Sequence, residues 1–141
     1  MKPLHMFFLD DDREDLDLVT EVAESYGHTV KLFSQPAELF DFLDLHGIAP
    51  DLIFIDIYMP RDDGYQVLER LKTFSELDNT PVVIYTGECD EICIDKCFAL
   101  GTSYHIRKAT SFSWLQTTLQ RMFDVNWLLH VPVRNQFLLE Q

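Results

Sequence analysis

Three aspartates, Asp10, Asp11 and Asp12, follow directly on the apolar run "FFL" at residues 7–9. A fourth, Asp56, is set inside "DLIFIDI" (51–57). Thr86 ends "PVVIYT" (81–86), and Lys108 follows "SYHIR" (103–107). Carboxylate oxygens are hard ligands, and a tight group of them suits Mg2+. Two unit charges ~4 Å apart at a surface-like dielectric interact by ~4 kcal/mol. Crowded acids therefore call for a divalent cation, and Lys108 offers a fixed second one. A metal, an ammonium and a hydroxyl are what phosphoryl transfer needs, because its transition state spreads negative charge over equatorial oxygens. An unpaired charge in an apolar strand is costly. That singles out Asp56 as the nucleophile, which would form an acyl phosphate. Asp12 reads instead as a helix N-cap or a solvated charge.

These residues are far apart in the chain, so the fold has to gather them. Residues 4–9 form an apolar strand. Leu16, Val19, Val22, Ala23 and Tyr26 then recur at helical spacing, with Asp11 or Asp12 available as cap and Gly27 as stop. A strand at 28–33 and a helix from Pro36 to near Gly47 follow. Strand 51–57 does not alternate, which predicts burial on both faces. Further helices are expected at 64–74, 88–100 and 111–123, with strands at 81–86 and 103–107. The alternation is (βα)5. It predicts an α/β fold with a doubly wound, five-stranded parallel sheet. Ligands in such folds bind beyond the carboxyl ends of the strands, where Asp10, Asp11, Asp56, Thr86 and Lys108 all fall.

Composition narrows the function classes. The chain has 141 residues and a formal net charge of −13, with 47% hydrophobic residues. That suits one domain with a real core. The acid excess argues against nucleic acid and against anionic membrane as partners. No apolar run approaches the ~20 residues of a membrane helix, and the N-terminus lacks the pattern of a signal peptide. Cys89, Cys93 and Cys97 are odd in number and helically spaced, a poor disulfide framework that fits a reducing compartment. The expectation is a cytoplasmic protein. The three cysteines read first as a helix face packed on the sheet, with a metal or redox role as the alternative.

At "FFLDDD", "DLIFIDIYMPRDDGYQVLERLK", "PVVIYTG" and "GTSYHIRK" the sequence resembles the receiver domain of two-component response regulators, the CheY-like family of flavodoxin-like fold. The resemblance covers residues 4 to 123. It implies Asp56 as phosphoacceptor, and Asp10, Asp11, Asp56 and the backbone carbonyl of Tyr58 as the Mg2+ site. Thr86 would be the switch hydroxyl, Lys108 the partner of the phosphoryl group, and Gly64 the glycine after the phosphorylation loop. A phosphohistidine on a sensor histidine kinase or histidine phosphotransfer protein would donate to Asp56. Positions two after the acceptor and two after the threonine, Tyr58 and Glu88, would tune dephosphorylation. The chain departs from the family's pattern in two places. Ala109 stands where proline usually follows the lysine, and His105 holds the switch position usually given to Tyr or Phe.

The expected organisation is a receiver domain over 1–123 with an apolar extension over 124–141 and no separate output domain. The extension carries Trp127, Leu128, Leu129, Val131, Val133, Phe137, Leu138 and Leu139, too apolar for a flexible linker. It either packs on its own domain or covers a partner, and it resembles the extensions of stand-alone receivers of the phytochrome-associated type. The expected function is a stand-alone, Mg2+-dependent switch. It would phosphorylate and dephosphorylate itself without being a metabolic enzyme, and would act on a downstream protein. A homodimer could form on the face of the fourth helix, fifth strand and fifth helix, or through the tail. One alternative is a pseudo-receiver that only binds. The other is a haloacid-dehalogenase-like phosphatase using Asp10 and Asp12, which would lack its later acidic motif and leave Asp56 unexplained.

Overall fold

The computed structural model describes residues 2–141. In chain order its elements are β1 (His5–Leu9), α1 (Arg13–Ser25), β2 (Thr29–Phe33), α2 (Pro36–His46), β3 (Leu52–Ile55), β4 (Tyr58–Met59), β5 (Asp62–Asp63) and α3 (Gly64–Leu71). A 3-10 turn at Ser75–Leu77 leads to β6 (Val82–Thr86), α4 (Glu91–Ala99), β7 (Tyr104–Arg107), α5 (Phe112–Asp124), α6 (Arg134–Phe137) and β8 (Leu138–Leu139). The main sheet has the order β2-β1-β3-β6-β7-β8, and every pairing in it is parallel. β4 and β5 form a small antiparallel ribbon just after β3.

Period-two alternation divides the strand residues between two cores. Phe7, Leu9, Ile53, Ile55 and Ile84 face α2, α3 and α4 on one side of the sheet. Met6, Phe8, Leu52, Phe54, Val83 and Tyr85 face α1 and α5 on the other. β3 lies at the centre, and all four of its residues are buried, as its unbroken apolar run predicts. Among the described residues no helix is long and apolar enough to cross a membrane.

The expected five-stranded sheet has a sixth strand. β8 pairs with β7 through His105–Leu138 and Ile106–Leu139. Phe137 is fully buried, against Phe98 of α4 and His105 of β7. The extension therefore covers the open edge of β7, a row of backbone groups that would otherwise be free to pair with another chain. The stretch before it stays outside: Leu128 is 92% and Leu129 77% exposed.

α4 also starts later than helical spacing alone predicts. Asp90 caps it by accepting from the Cys93 N–H at 2.9 Å. Cys89 thus belongs to the loop after β6 and not to the helix. Its Cα lies 5.4 Å from that of Cys93, and the two form a disulfide. This corrects the reading of the three cysteines as one helical stripe without a disulfide. It also removes the support that cysteine usage lent to a reducing compartment. All three are nonetheless buried, and Cys97 keeps a free thiol.

Candidate functional site

The backbone ladder carries the site residues past the ends of the strands. Asp10 N–H donates to the Phe33 carbonyl at 3.0 Å, Asp56 N–H to Leu9 at 2.9 Å, and Lys108 N–H to Thr86 at 2.7 Å. Each residue is therefore fixed relative to the neighbouring strand. Two helix caps shape the rim. The Asp12 side chain accepts from the N–H groups of Glu14 and Asp15 at the start of α1, and Asp63 accepts from Tyr65 and Gln66 at the start of α3. The glycine after the β4–β5 ribbon is required by space. A methyl on Gly64 would collide with the backbone of Ile57, the residue next to Asp56.

Asp56 is buried, and both of its oxygens are engaged. Oδ1 accepts from the Thr86 hydroxyl at 2.6 Å and from the Tyr58 N–H at 2.8 Å; Oδ2 accepts from Lys108 Nζ at 2.8 Å. The same ammonium lies 2.8 Å from Asp10 Oδ2 and 2.6 Å from Asp15 Oδ2. One cation thus meets three carboxylates. Burial works to lower the Lys108 pKa, but its contacts with Asp10, Asp15 and Asp56 outweigh this and raise it, so the ammonium stays charged. Asp10 is wholly buried, and burial pushes it up to about 7. Lys108 and the Asp12 N–H pull it down, and the neighbouring Asp56 charge raises it again. Asp10, Asp11 and Asp56 each offer an oxygen, and these lie within 4.8 Å of one another. With Asp10 and Asp56 buried and Asp11 exposed, a hard divalent ion fits the donor set. It would meet carboxylates that a single lysine leaves under-neutralised.

Other candidates lie at the rim or away from it. Tyr58, 54% exposed, and the exposed Glu88 line the same cleft as Asp56, Thr86 and Lys108. His105 is not part of this cleft. It is sealed inside the fold with neither ring nitrogen hydrogen-bonded. Burial, helped by the Arg107 and Arg134 charges, holds its pKa down to about 4. At the switch position the resemblance implies, the ring is therefore already inside the fold. The sequence pattern hides Asp15. In an amphipathic helix it reads as one more solvated acid, yet it stands one turn beyond Asp10–Asp12 and caps Lys108 from above. That position, three residues after the cap Asp12, was its only signal.

Comparison with known proteins points the same way. Residues 6–120 match the response regulator receiver domain family. A two-component response regulator of Oryza sativa, ORR6, is 28% identical over 107 residues, which is 74% of this chain and 62% of that protein. Response regulator Rre1 of Synechocystis is 33% identical over 87 residues, 61% of this chain and 37% of that protein. The chain thus spans less than two thirds of the length of either relative. Among solved structures, the Mn2+-bound form of response regulator Rcp1 superposes with a TM-score of 0.76 at 25% identity, covering 93% of this chain and 99% of that one. The phosphorylated cyanobacterial phytochrome response regulator RcpA gives 0.78 at 24% identity, covering 91% and 96%; this last likeness is one of fold. With its parallel sheet and the acids gathered at the strand ends, the chain belongs to the response regulator receiver domains of two-component systems.

Proposed function

We propose that Asp56 accepts a phosphoryl group from a phosphohistidine, and that the receiver works as a Mg2+-dependent switch. The observation that carries this reading is the double engagement of Asp56: one oxygen is held by a hydroxyl and an N–H, the other by an ammonium. Those are the donors a phosphorylated carboxylate would need. An Asp56 oxygen attacks phosphorus, the P–N bond of the donor breaks, and the histidine leaves with its electron pair and takes up a proton. Lys108 then exchanges its Asp56 contact for a phosphoryl oxygen, and Thr86 donates to another. Asp10, Asp11, Asp56 and the Tyr58 carbonyl would hold Mg2+, which supplies neutralisation of the phosphoryl charge. Hydrolysis of the acyl phosphate by water resets Asp56, so the protein turns over its own phosphate and no separate substrate.

The partners that follow are a sensor histidine kinase or histidine phosphotransfer protein upstream and a protein target downstream. We place the exchange in the cytoplasm, with neither nucleic acid nor membrane as ligand, in keeping with the net charge of −13. The extension 124–141 belongs, in this reading, to the receiver unit and not to an output domain. β8 and Phe137 already cover the edge beside α4 and β7. A homodimer would therefore use the exposed Leu128, Leu129, Val131 and Val133. Light scattering of the full chain and of a Leu128→Asp/Leu129→Asp variant checks this; a wild type that stays monomeric with and without phosphate overturns it.

Mass spectrometry after incubation with a small phosphodonor and Mg2+ tests the central claim. One phosphoryl adduct is expected on the wild type and none on Asp56→Asn. An adduct that persists in the Asn variant, or a wild type that never takes one up, would sink it. The second result would leave a receiver fold that only binds.

A further inference from the structure

Below the acidic cleft, where α4 crosses the sheet, lies a second cluster of metal-ligating side chains that phosphoryl transfer does not use. Cys89, Cys97 and His105 are all buried, and their two sulfurs and a ring nitrogen lie within 4.8 Å of one another. Cys93, also buried, is bonded to Cys89 and so sits at the same place. His105 is 0% exposed, and neither of its nitrogens has a hydrogen-bond partner. Buried imidazoles are nearly always satisfied, and an orphaned polar group of this kind is costly. The disulfide explains two of the four residues. It leaves the Cys97 thiol free and within 4.8 Å of a nitrogen of the unpartnered His105 ring.

We propose that the reduced protein binds one soft divalent ion, Zn2+ by its chemistry, through Cys89, Cys93, Cys97 and His105. Three thiolates and an imidazole form a closed tetrahedral donor set for zinc, with Zn–S of ~2.3 Å and Zn–N of ~2.0–2.1 Å. Cys89, Cys97 and His105 already lie within 4.8 Å of one another, and opening the Cys89–Cys93 bond lets its two sulfurs separate to ~3.7 Å around one ion. The site is chemically orthogonal to the cleft above it, where every donor is a hard oxygen.

The disulfide and the metal exclude each other. A dithiol reductant opens the Cys89–Cys93 bond by supplying two electrons and two protons, and leaves as its own disulfide. Zn2+ then displaces the thiol protons of Cys89, Cys93 and Cys97 to solvent, while His105 binds through a neutral nitrogen. The bound ion joins three elements: the loop after β6, helix α4 and strand β7. That loop runs from Thr86 through Glu88 to Cys89, and β7 leads directly to Lys108. Metal loading would therefore stiffen the two segments that carry the cleft's hydroxyl and ammonium.

The test is spectroscopic and uses the full chain. The protein is reduced anaerobically with a phosphine, excess Mg2+ is added to occupy the acidic cleft, and Co2+ is titrated in. One equivalent of Co2+ is expected, with the strong visible bands of tetrahedral coordination and a thiolate charge-transfer band, both abolished by Zn2+. Cys97→Ser and His105→Gln should lose this signature, and Asp56→Asn should keep it. The oxidised wild type, which needs no substitution and keeps its fold, should lack it too. Only weak octahedral bands in the reduced wild type would overturn the proposal. So would undiminished tetrahedral bands in Cys97→Ser or in the oxidised protein.

Discussion

Two polar regions share strands β6 and β7 and differ in how their charges are met. At the strand ends, Thr86 and Lys108 point into a cleft where hydroxyl, ammonium and carboxylates are paired within 2.6–2.8 Å. Two residues back, Ile84 stands opposite His105 in the same ladder, and the ring there has no partner at all. The first region lies where the strands run out and a cation can enter. The second is roofed by Phe137 and α4. Position along one strand thus decides whether a polar group is solvated, paired or sealed. The upper region stores its tension as repulsion between acids, which an ion relieves. The lower stores it as an unsatisfied ring, which only a ligand or a repacked core relieves.

The largest expected effect is on the roof of the lower region. Phe137 is fully buried against Phe98 and His105. Removing its ring in Phe137→Ala should cost ~3–5 kcal/mol, as large-to-small changes in a core do. It should also release β8 from β7. Denaturant unfolding measures the loss, and hydrogen exchange at residues 138 and 139 shows the release. A cost near zero would mean that the extension is not seated on the receiver.

Next is the cation of the upper region. In Lys108→Met, Asp10, Asp15 and Asp56 are left crowded without a counter-charge. Breaking a fully buried pair costs ~3–5 kcal/mol, but this lysine side chain keeps 18% of its surface, so about 2–3 kcal/mol is expected. Millimolar Mg2+ should restore part of that, and more in the variant than in the wild type. Melting temperatures with and without Mg2+ check it. If Mg2+ gives the variant no extra stability, repulsion among the acids is not what the lysine relieves.

The sequence disclosed the upper region far better than the lower. Asp56 within an apolar strand, acids after "FFL" and a lysine after "SYHIR" are visible because each breaks a hydrophobic pattern. β3 is legible from its unbroken apolar run. Asp15 is not, since an acid on a helix obeys the pattern. Helical spacing continues through Cys89 and predicts a helix there, whereas Asp90 captures the Cys93 N–H and starts the helix later. β8 is two residues long. Nothing local marks so short a strand; the free edge of β7 makes it one. The resemblance puts His105 at the switch position before Lys108, but its isolation depends on what α4 and α6 lay over it, and no local pattern encodes that.

That isolation has a measurable pH signature in the oxidised, metal-free chain. An unfolded histidine protonates near 6.5, whereas burial holds His105 at about 4. Between those values the unfolded chain binds the extra proton. The contribution to stability is complete above pH 6.5 and is lost as pH falls, by up to ~1.4 kcal/mol per unit and on the order of 3 kcal/mol in all. His105→Phe should flatten this part of the acid limb, whatever its packing does to stability at pH 7. Denaturant midpoints of both proteins between pH 7 and 4.5 give the comparison. Parallel curves would show that the ring is not held neutral by the fold.

The smallest effect tests whether the two regions speak to each other. Tyr58 donates its N–H to Asp56, and its ring stands 54% exposed at the mouth of the cleft. If Asp56 is phosphorylated as proposed, a ring there would shield the acyl phosphate from the water that attacks in line. Glu88, on the loop leading to Cys89, lines the same cleft, and in the proposed function it would orient that water. Tyr58→Asn should therefore shorten the phosphate half-life a few-fold, which corresponds to about 1 kcal/mol or less in barrier. An unchanged or longer half-life in the Asn variant would remove shielding as the role of the ring. Repeating the measurement after reducing the Cys89–Cys93 disulfide sharpens the contrast. If the loop transmits the state of the sulfur cluster, reduction changes the decay through Glu88. The change should then vanish in Glu88→Gln while the Tyr58 effect persists. Decay that ignores reduction in both backgrounds would mean that the two regions share strands but not function.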